Sequence, residues 1–357
     1  MREALEKRTE HQARARVALT AALATGPSHA YLFRGPRGAG KSPIARAFAA
    51  EILAAEVADP DDARRRVLID PSPHPDLVWL RPRGAQHMVE EVRERVIRAS
   101  SYRPFEAEKR VFVIEAAEQM RDESQNALLK TLEEPPDFVH LILLTAEPSK
   151  LLETIASRCQ PIDFAPLPPA AIEAQLSGAG SAQEIAAVAR LSAGDLARAK
   201  FLLSDSGRAL RAAALALALQ TPWRALLDAA ERVGEDAEVA ARETLEEEAE
   251  AGVKRSARDI GDEAKRAGRR RRTEILDLGL ELTASWFRDL AAMASGAPEV
   301  VHNQDQLGAL QSVGSLDPAR PRRAAELVQD TRRRLDLNVS EELALEALAF
   351  RLAAVFA

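Results

Sequence analysis

A chain of 357 residues with a net charge of −6, 29% charged and only 4% aromatic residues, is long enough for two or three cored domains and has the composition of a helix-rich soluble protein. The modest negative charge excludes whole-surface attraction to nucleic acid, though a local basic patch could still bind phosphates. A lone cysteine, Cys159, excludes an intrachain disulfide and a multi-cysteine zinc site, and with no apolar signal core and no run of membrane-spanning length the expectation is a reducing, cytoplasmic setting with no membrane partner.

Residues 1–25 are predicted to form a polar-faced helix ending before Gly26-Pro27, with Val17, Leu19 and Leu23 as its limited apolar surface. The apolar run Ala30-Tyr31-Leu32-Phe33 then leads into Gly35-Pro36-Arg37-Gly38-Ala39-Gly40-Lys41-Ser42, followed by an alanine-rich helical run from Ile44 to Leu53. A glycine-rich turn between strand and helix is where a P-loop is expected. Gly35 and Gly40 allow the backbone to turn and expose its N–H groups, the helix N-terminus adds positive potential, Lys41 can reach outer phosphates and Ser42 can ligate magnesium. The alternative is a glycine-rich turn that holds nothing. Pro43 sits in the first helical turn, where proline is tolerated, but it removes an N–H that a phosphate would use. Weakened binding of ATP and magnesium is therefore expected.

Residues 59–66, Asp-Pro-Asp-Asp-Ala-Arg-Arg-Arg, read as an exposed charged loop. His74 lies between prolines before the short buried strand Leu77–Leu80, and without a partner histidine or cysteine it is a turn residue and no metal ligand. A helix is predicted over 86–100. Val111-Phe112-Val113-Ile114 is a continuous apolar strand of the parallel, buried type, and it ends in Glu115-Ala116-Ala117-Glu118. A nucleotide-hydrolysing P-loop protein needs an acidic residue there for magnesium and usually a second to orient water. Glu115 can serve the first purpose. Ala116 cannot serve the second, and Glu118, two residues on, is expected to point elsewhere.

Asp122 is placed as the cap of a helix carrying Leu128, Leu129 and Leu132 and stopped by Pro135-Pro136. Val139–Thr145 is a further buried strand, a short helix ends at Ser157-Arg158-Cys159, and 161–164 is the last strand. Strands alternating with helices across 28–165 mean a parallel sheet covered on both faces. Pro166-Leu167-Pro168-Pro169 marks a boundary. Residues 170–203 then read as a small helical domain through Ile172, Leu176, Ile185, Val188, Ala189 and Leu196, broken at Gly178-Ala179-Gly180 and Gly194, and 207–357 as helical again. The resulting division is an α/β nucleotide-binding domain at 1–165, a small helical domain at 166–205 and an all-α domain at 206–357. Within the last, 242–272 carries glutamates, then Lys254, Arg255, Lys265, Arg266 and Arg269–Arg272. A solvated helix with opposed charges is favoured over a basic patch for DNA backbone or an acidic partner, because no aromatics interleave the arginines to stack on bases. Ile275, Leu278, Leu282, Trp286 and Leu290 mark a buried helix face.

Ser124-Gln125-Asn126-Ala127-Leu128-Leu129-Lys130-Thr131-Leu132-Glu133-Glu134-Pro135-Pro136, followed by Ser157-Arg158-Cys159, resembles the AAA+ subunits of the bacterial DNA polymerase III clamp loader. His74-Pro75-Asp76-Leu77 and the degraded acidic motif are most similar to the delta-prime branch. The resemblance covers residues 1–200; beyond them only helical character and length match. It implies a AAA+ module, a lid and a C-terminal helical collar joining a five-subunit ring. Gly35, Gly38, Gly40, Lys41 and Ser42 would form the nucleotide loop, Glu115 would stand at the magnesium position, and Thr145 at the sensor of the γ-phosphate. Arg158 would be an arginine finger acting in trans on ATP held by a neighbour, against the plainer reading of an arginine at a helix C-terminus. Cys159 is read as a small buried residue without a redox role.

Three departures stand out. Residues 52–77 contain no cysteine, so the four-cysteine zinc module usual in the family cannot form; the second carboxylate is missing; and Arg198, in Gly194-Asp195-Leu196-Ala197-Arg198, falls one residue late for the second sensor. The implied role is a stator within the polymerase holoenzyme, without polymerase activity and with little or no ATPase activity of its own. Its implied partners are the tau/gamma and delta subunits, the sliding clamp and primed DNA, with a monomer expected in isolation. The alternatives are a tau/gamma-type ATPase motor and a stand-alone P-loop DNA-binding regulator using 254–272.

Overall fold

The apolar runs become five strands: β1 (Ala30–Arg34), β2 (Leu77–Leu80), β3 (Arg110–Ile114), β4 (Val139–Thr145) and β5 (Gln160–Asp163). The computed structural model describes residues 3–82, 87–219, 222–250, 256–312, 317–335 and 339–357. It divides into two units, Met1–Pro168 and Pro169–Ala357. In the first, all pairings are parallel and the order is β2-β3-β4-β1-β5. β3 and β4 are buried at every position, which is why they read as unbroken hydrophobic runs.

Alternate side chains feed two cores. Tyr31, Phe33, Val111, Val113, Ile142 and Leu144 pack with Phe48 and Ile52 of α3 (Lys41–Leu53), whereas Leu32, Phe112, Ile114, Leu141 and Leu143 meet Leu128 and Leu132 of the helix over Asp122–Glu133.

Several boundaries differ from the sequence expectation. The first 25 residues form two helices, α1 (Glu3–Arg8) and α2 (Ala13–Thr25). Thr9 Oγ1 donates to Leu5 O at 2.7 Å, and the buried Gln12 donates to Ala39 O and Ala165 O and accepts from Ala165 N. One side chain thus ties the helix break to the phosphate loop and to the end of β5. The charged interval 59–66 is not a loop but the body of α4 (Pro60–Leu68). Asp59 caps it through Asp62 N, Pro60 sits at its start, and Arg64 reaches Glu51 at 3.0 Å. The signals there were a cap and a helix-initiating proline, which outweigh the local charge density.

The helix predicted over 86–100 is described from Val89: α5 (Val89–Val92) passes into a π-helical turn, Arg93–Arg98, and a short 3₁₀ turn. In α6 (Asp122–Glu133) the cap position belongs to Arg121 and has no side-chain cap bond, so Asp122 lies inside the first turn and acts only through its charge. A short α7 (Glu153–Ala156) precedes Arg158. His74 is buried, its Nδ1 accepting from Asp76 N at 3.2 Å, and Asp76 accepts from the amides of Phe105, Glu106 and Ala107 at 2.7–3.0 Å. That motif anchors the loop before β3.

The second unit is helical: α8 (Pro169–Gln175), α9 (Ala182–Leu191), α10 (Leu196–Leu203), α11 (Asp205–Ala218), α12 (Arg224–Glu250), α13 (Ala257–Ala294), α14 (Leu307–Ser312), α15 (Ala319–Leu335) and α16 (Glu341–Phe356). α12 and α13 run antiparallel, since Leu226 packs on Gly279 while Gly234 abuts Gly268 and Arg272. The acidic later half of α12 therefore lies along the basic first half of α13, with Arg272 pairing to Glu231 at 3.4 Å. Lys254 and Arg255 lie outside the described residues. Ile275, Leu282, Trp286 and Leu290 are buried as the periodicity predicts, and Leu278 is half-buried.

Asp289 is buried at 1% exposure and accepts from His302 N, Asn303 N and Asn303 Nδ2 at 2.7–3.0 Å. Burial pushes its carboxyl up, but the hydrogen bonds from His302 and Asn303 outweigh burial and hold it below the ordinary value. A lowered folded pKa stabilises at pH above the unfolded value of about 4 and loses that contribution as pH falls through the folded one. Asp289→Ala is accordingly expected to lower stability by about 2–4 kcal/mol at pH 7, and the gap to wild type, measured by urea unfolding, should narrow at about pH 3.

Candidate functional site

The site is built where β1 ends. Gly35 leaves the strand, its N–H bonding Thr145 O at 3.3 Å, and Gly40 (φ 84°) forms the N-terminal boundary of α3 in the left-handed conformation. The backbone N–H groups of Gly38, Gly40 and Ser42 have no acceptor among the described residues. With the N-terminus of α3 behind them, they form a cradle suited to phosphate oxygens. Pro43 offers no donor; its carbonyl instead accepts from Arg8 Nη1 at 2.8 Å. Lys41 Nζ donates to Gly35 O at 2.6 Å and Pro36 O at 2.7 Å, folded onto its own loop.

Thr145 ends β4 in register with Arg34, beside Gly35, and is buried; its Oγ1 accepts from Glu147 N at 3.1 Å. The topology thus brings Gly35, Gly38, Gly40, Lys41, Ser42 and Thr145 together at the C-terminal ends of the adjacent strands β1 and β4. Glu115 follows β3, where its Oε1 accepts from Trp79 Nε1 at 2.8 Å and lies 3.5 Å from Arg81 Nε. Arg81 also pairs with Asp70, as does Arg46, whose guanidinium lies 4.2 Å over the Trp79 ring. Trp79 and Arg81 were not singled out from sequence. Their proximity to Glu115 follows from the parallel register of β2 on β3, Leu80 against Ile114, which local patterning does not encode.

Ala116 is left-handed (φ 47°), and its methyl can neither polarise nor orient water. Glu118, expected to point away, turns back to β4: its Oε1 accepts from Ala146 N at 3.4 Å, while Oε2 is buried without a partner among the described residues.

Arg158 is not part of this cluster. It follows α7, donates to Thr154 O at 2.8 Å and pairs with Glu133 at 2.7 Å, with its side chain 36% exposed. Cys159 is buried, which pushes its thiol up to about 12. Arg198 pairs with Glu281 of α13 at 2.8 Å. Gln125, in the motif of α6, donates to Met120 O and Lys150 O and accepts from Leu152 N, so it latches α6 to the segment after β4. Among the described residues no group of three or more His, Cys, Asp or Glu could hold a metal, and no helix is long and apolar enough to cross a membrane.

A parallel sheet in this order, with a phosphate loop between β1 and α3, an acidic residue after β3 and a polar residue closing β4, is a AAA+ P-loop module. Residues 12–168 match the family described as DNA polymerase III, delta subunit. The delta-prime subunit of Bacillus subtilis is 38% identical over 151 residues, 42% of this chain and 46% of that protein. That of Pseudomonas aeruginosa is 38% identical over 149 residues, covering 40% and 45%. The gamma/tau subunit of Mycobacterium bovis is 37% identical over 164 residues, covering 44% and 28%. Over this region the chain is similar to the delta-prime and gamma/tau clamp-loader subunits of DNA polymerase III. The matches span less than half the length of these relatives.

Proposed function

We propose that the chain is a stator subunit of a clamp loader: it holds a place in a ring with tau/gamma-type and delta-type subunits, assists loading of a sliding clamp onto primed DNA, and supplies Arg158 to ATP on a neighbour. The observation that carries this reading is a phosphate cradle beside a disabled acidic motif. Gly38, Gly40 and Ser42 would hold the phosphates of ATP, with Lys41 released from its own loop. Magnesium would fall to Ser42 and to a Glu115 already held by Trp79 and Arg81, and Ala116 leaves no group to activate water. Binding without turnover is the expected behaviour. ATP hydrolysis by the isolated chain at rates of about 1 s⁻¹ or more would instead make it a motor of the tau/gamma type.

An exposed apolar stripe supports the assembly reading. On α16, Leu343 (63% exposed) and Phe350 (79% exposed) lie with Ala347 and Ala354 on one exposed stripe at helical spacing. This reading places the neighbouring subunits' C-terminal helices against it. The double substitution Leu343→Glu/Phe350→Glu is expected to weaken ring assembly at least about tenfold, an anchor-residue effect, with the variant's own melting temperature unchanged. Size-exclusion chromatography of the reconstituted mixture reads this, and unaltered assembly would remove α16 from the interface.

A further inference from the structure

A cavity of about 740 Å³ opens within the second unit between α9, α10, α13 and α15. Five arginines line it: Arg190, Arg198, Arg288, Arg322 and Arg332. Two of them are answered by carboxylates. Arg198 pairs with Glu281 at 2.8 Å, and Arg332 with Asp277 at 2.7 Å and Glu281 at 3.6 Å. Arg288 donates to Ser285 Oγ at 3.3 Å and contacts His302 Nδ1 at 3.0 Å, and among the described residues it has no carboxylate partner. Among the described residues Arg190 and Arg322 have no ion-pair partner, and the buried Nε of Arg198 has no acceptor.

Fold stability does not account for this arrangement. Cations gathered around a concavity repel one another and focus positive potential into it, and three of the five gain no carboxylate in return. The remaining wall mixes Glu281, Ser285, His302 and Gln329 with an apolar strip on α13, where Leu282 and Ala291 are buried and line the same space. The volume lies within the range of about 300–1,000 Å³ usual for small-molecule sites, and guanidinium forks match phosphate oxygens in pairs.

We infer that this cavity binds a nucleoside polyphosphate, its phosphates on Arg190, Arg288 and Arg322 and its sugar and base on the Leu282–Ala291 floor. The site belongs to the helical unit and does not depend on the reading of the phosphate loop.

The test is calorimetric titration of the full chain with magnesium-free tripolyphosphate and, separately, with ATP, for wild type, Arg190→Ala/Arg322→Ala and Lys41→Ala. The double variant is expected to bind tripolyphosphate at least about tenfold more weakly, the loss of two charge-assisted contacts, while Lys41→Ala retains that binding. Among the described residues neither arginine makes an ion pair, so the melting temperature without ligand should be unchanged; if it falls, Arg322→Gln alone is read in the same way. Equal affinity in wild type and the double variant overturns the proposal, as does loss confined to Lys41→Ala. A single-stranded oligonucleotide that displaces tripolyphosphate with an affinity rising with length also overturns it, by assigning the arginines to a nucleic-acid backbone.

Discussion

Replacing Arg158 with alanine is expected to cut ATP turnover by the reconstituted clamp loader about a thousandfold or more, the scale on which an arginine finger acts, while the ring still assembles. Under the proposed stator role, a guanidinium presented across an interface would stabilise charge spreading over the transferred phosphoryl group. In this chain the side chain rests on Glu133 and Thr154 O. Both contacts are at the surface, where an ion pair contributes about 0–1 kcal/mol, so releasing Arg158 to a neighbour would cost little. Because the site is exposed, the substitution should leave the fold intact. Steady-state ATPase and clamp-loading assays on wild type and Arg158→Ala, with assembly followed in parallel, decide the matter. Unchanged turnover would mean that Arg158 only satisfies the end of α7, and the chain's contribution to the ring would then have to lie elsewhere.

Gly35→Ala should damage the first unit and the cradle together. Gly35 has φ 154°, and a Cβ built there would lie 2.8 Å from Phe164 Cβ and closer still to the Phe164 carbonyl. Neither neighbour can give way cheaply: Phe164 is buried against Phe33, ring centroids 5.0 Å apart, and its N–H bonds Arg34 O at 2.7 Å. Overpacking against backbone together with an unfavourable φ amounts to about 3–5 kcal/mol. For a unit of this size that is a fall in melting temperature of roughly 6–20 °C. Moving the loop away from Phe164 would also pull Gly35 N from Thr145 O, the bond joining the cradle to the end of β4. Differential scanning calorimetry and equilibrium ATP binding read the two effects; a melting temperature within about 2 °C of wild type would show that β5 can yield.

The phosphate loop, the five strands and the buried face of α13 could all be read from the chain because each is encoded locally. Glycines sit where the backbone must turn, β-branched and leucine runs where both faces are covered, and a period of three to four where a helix packs on one side. The same local reading failed at 59–66, where a cap and a proline outweighed a run of charge, and at residues 1–25, where Gln12 breaks the helix to bond Ala39 and Ala165, the latter 153 positions away. What the sequence alone determined is thus the P-loop module, the missing carboxylate at Ala116 and the likeness of residues 12–168 to clamp-loader subunits. What only the tertiary structure decided is how the charged groups are distributed: Glu115 held by Trp79 and Arg81, Glu118 turned to β4, Arg158 resting on Glu133, and five arginines gathered round one cavity. Pairings of that kind depend on strand register and helix crossing, which are settled by packing between segments far apart in the chain and leave no periodic trace within any one of them.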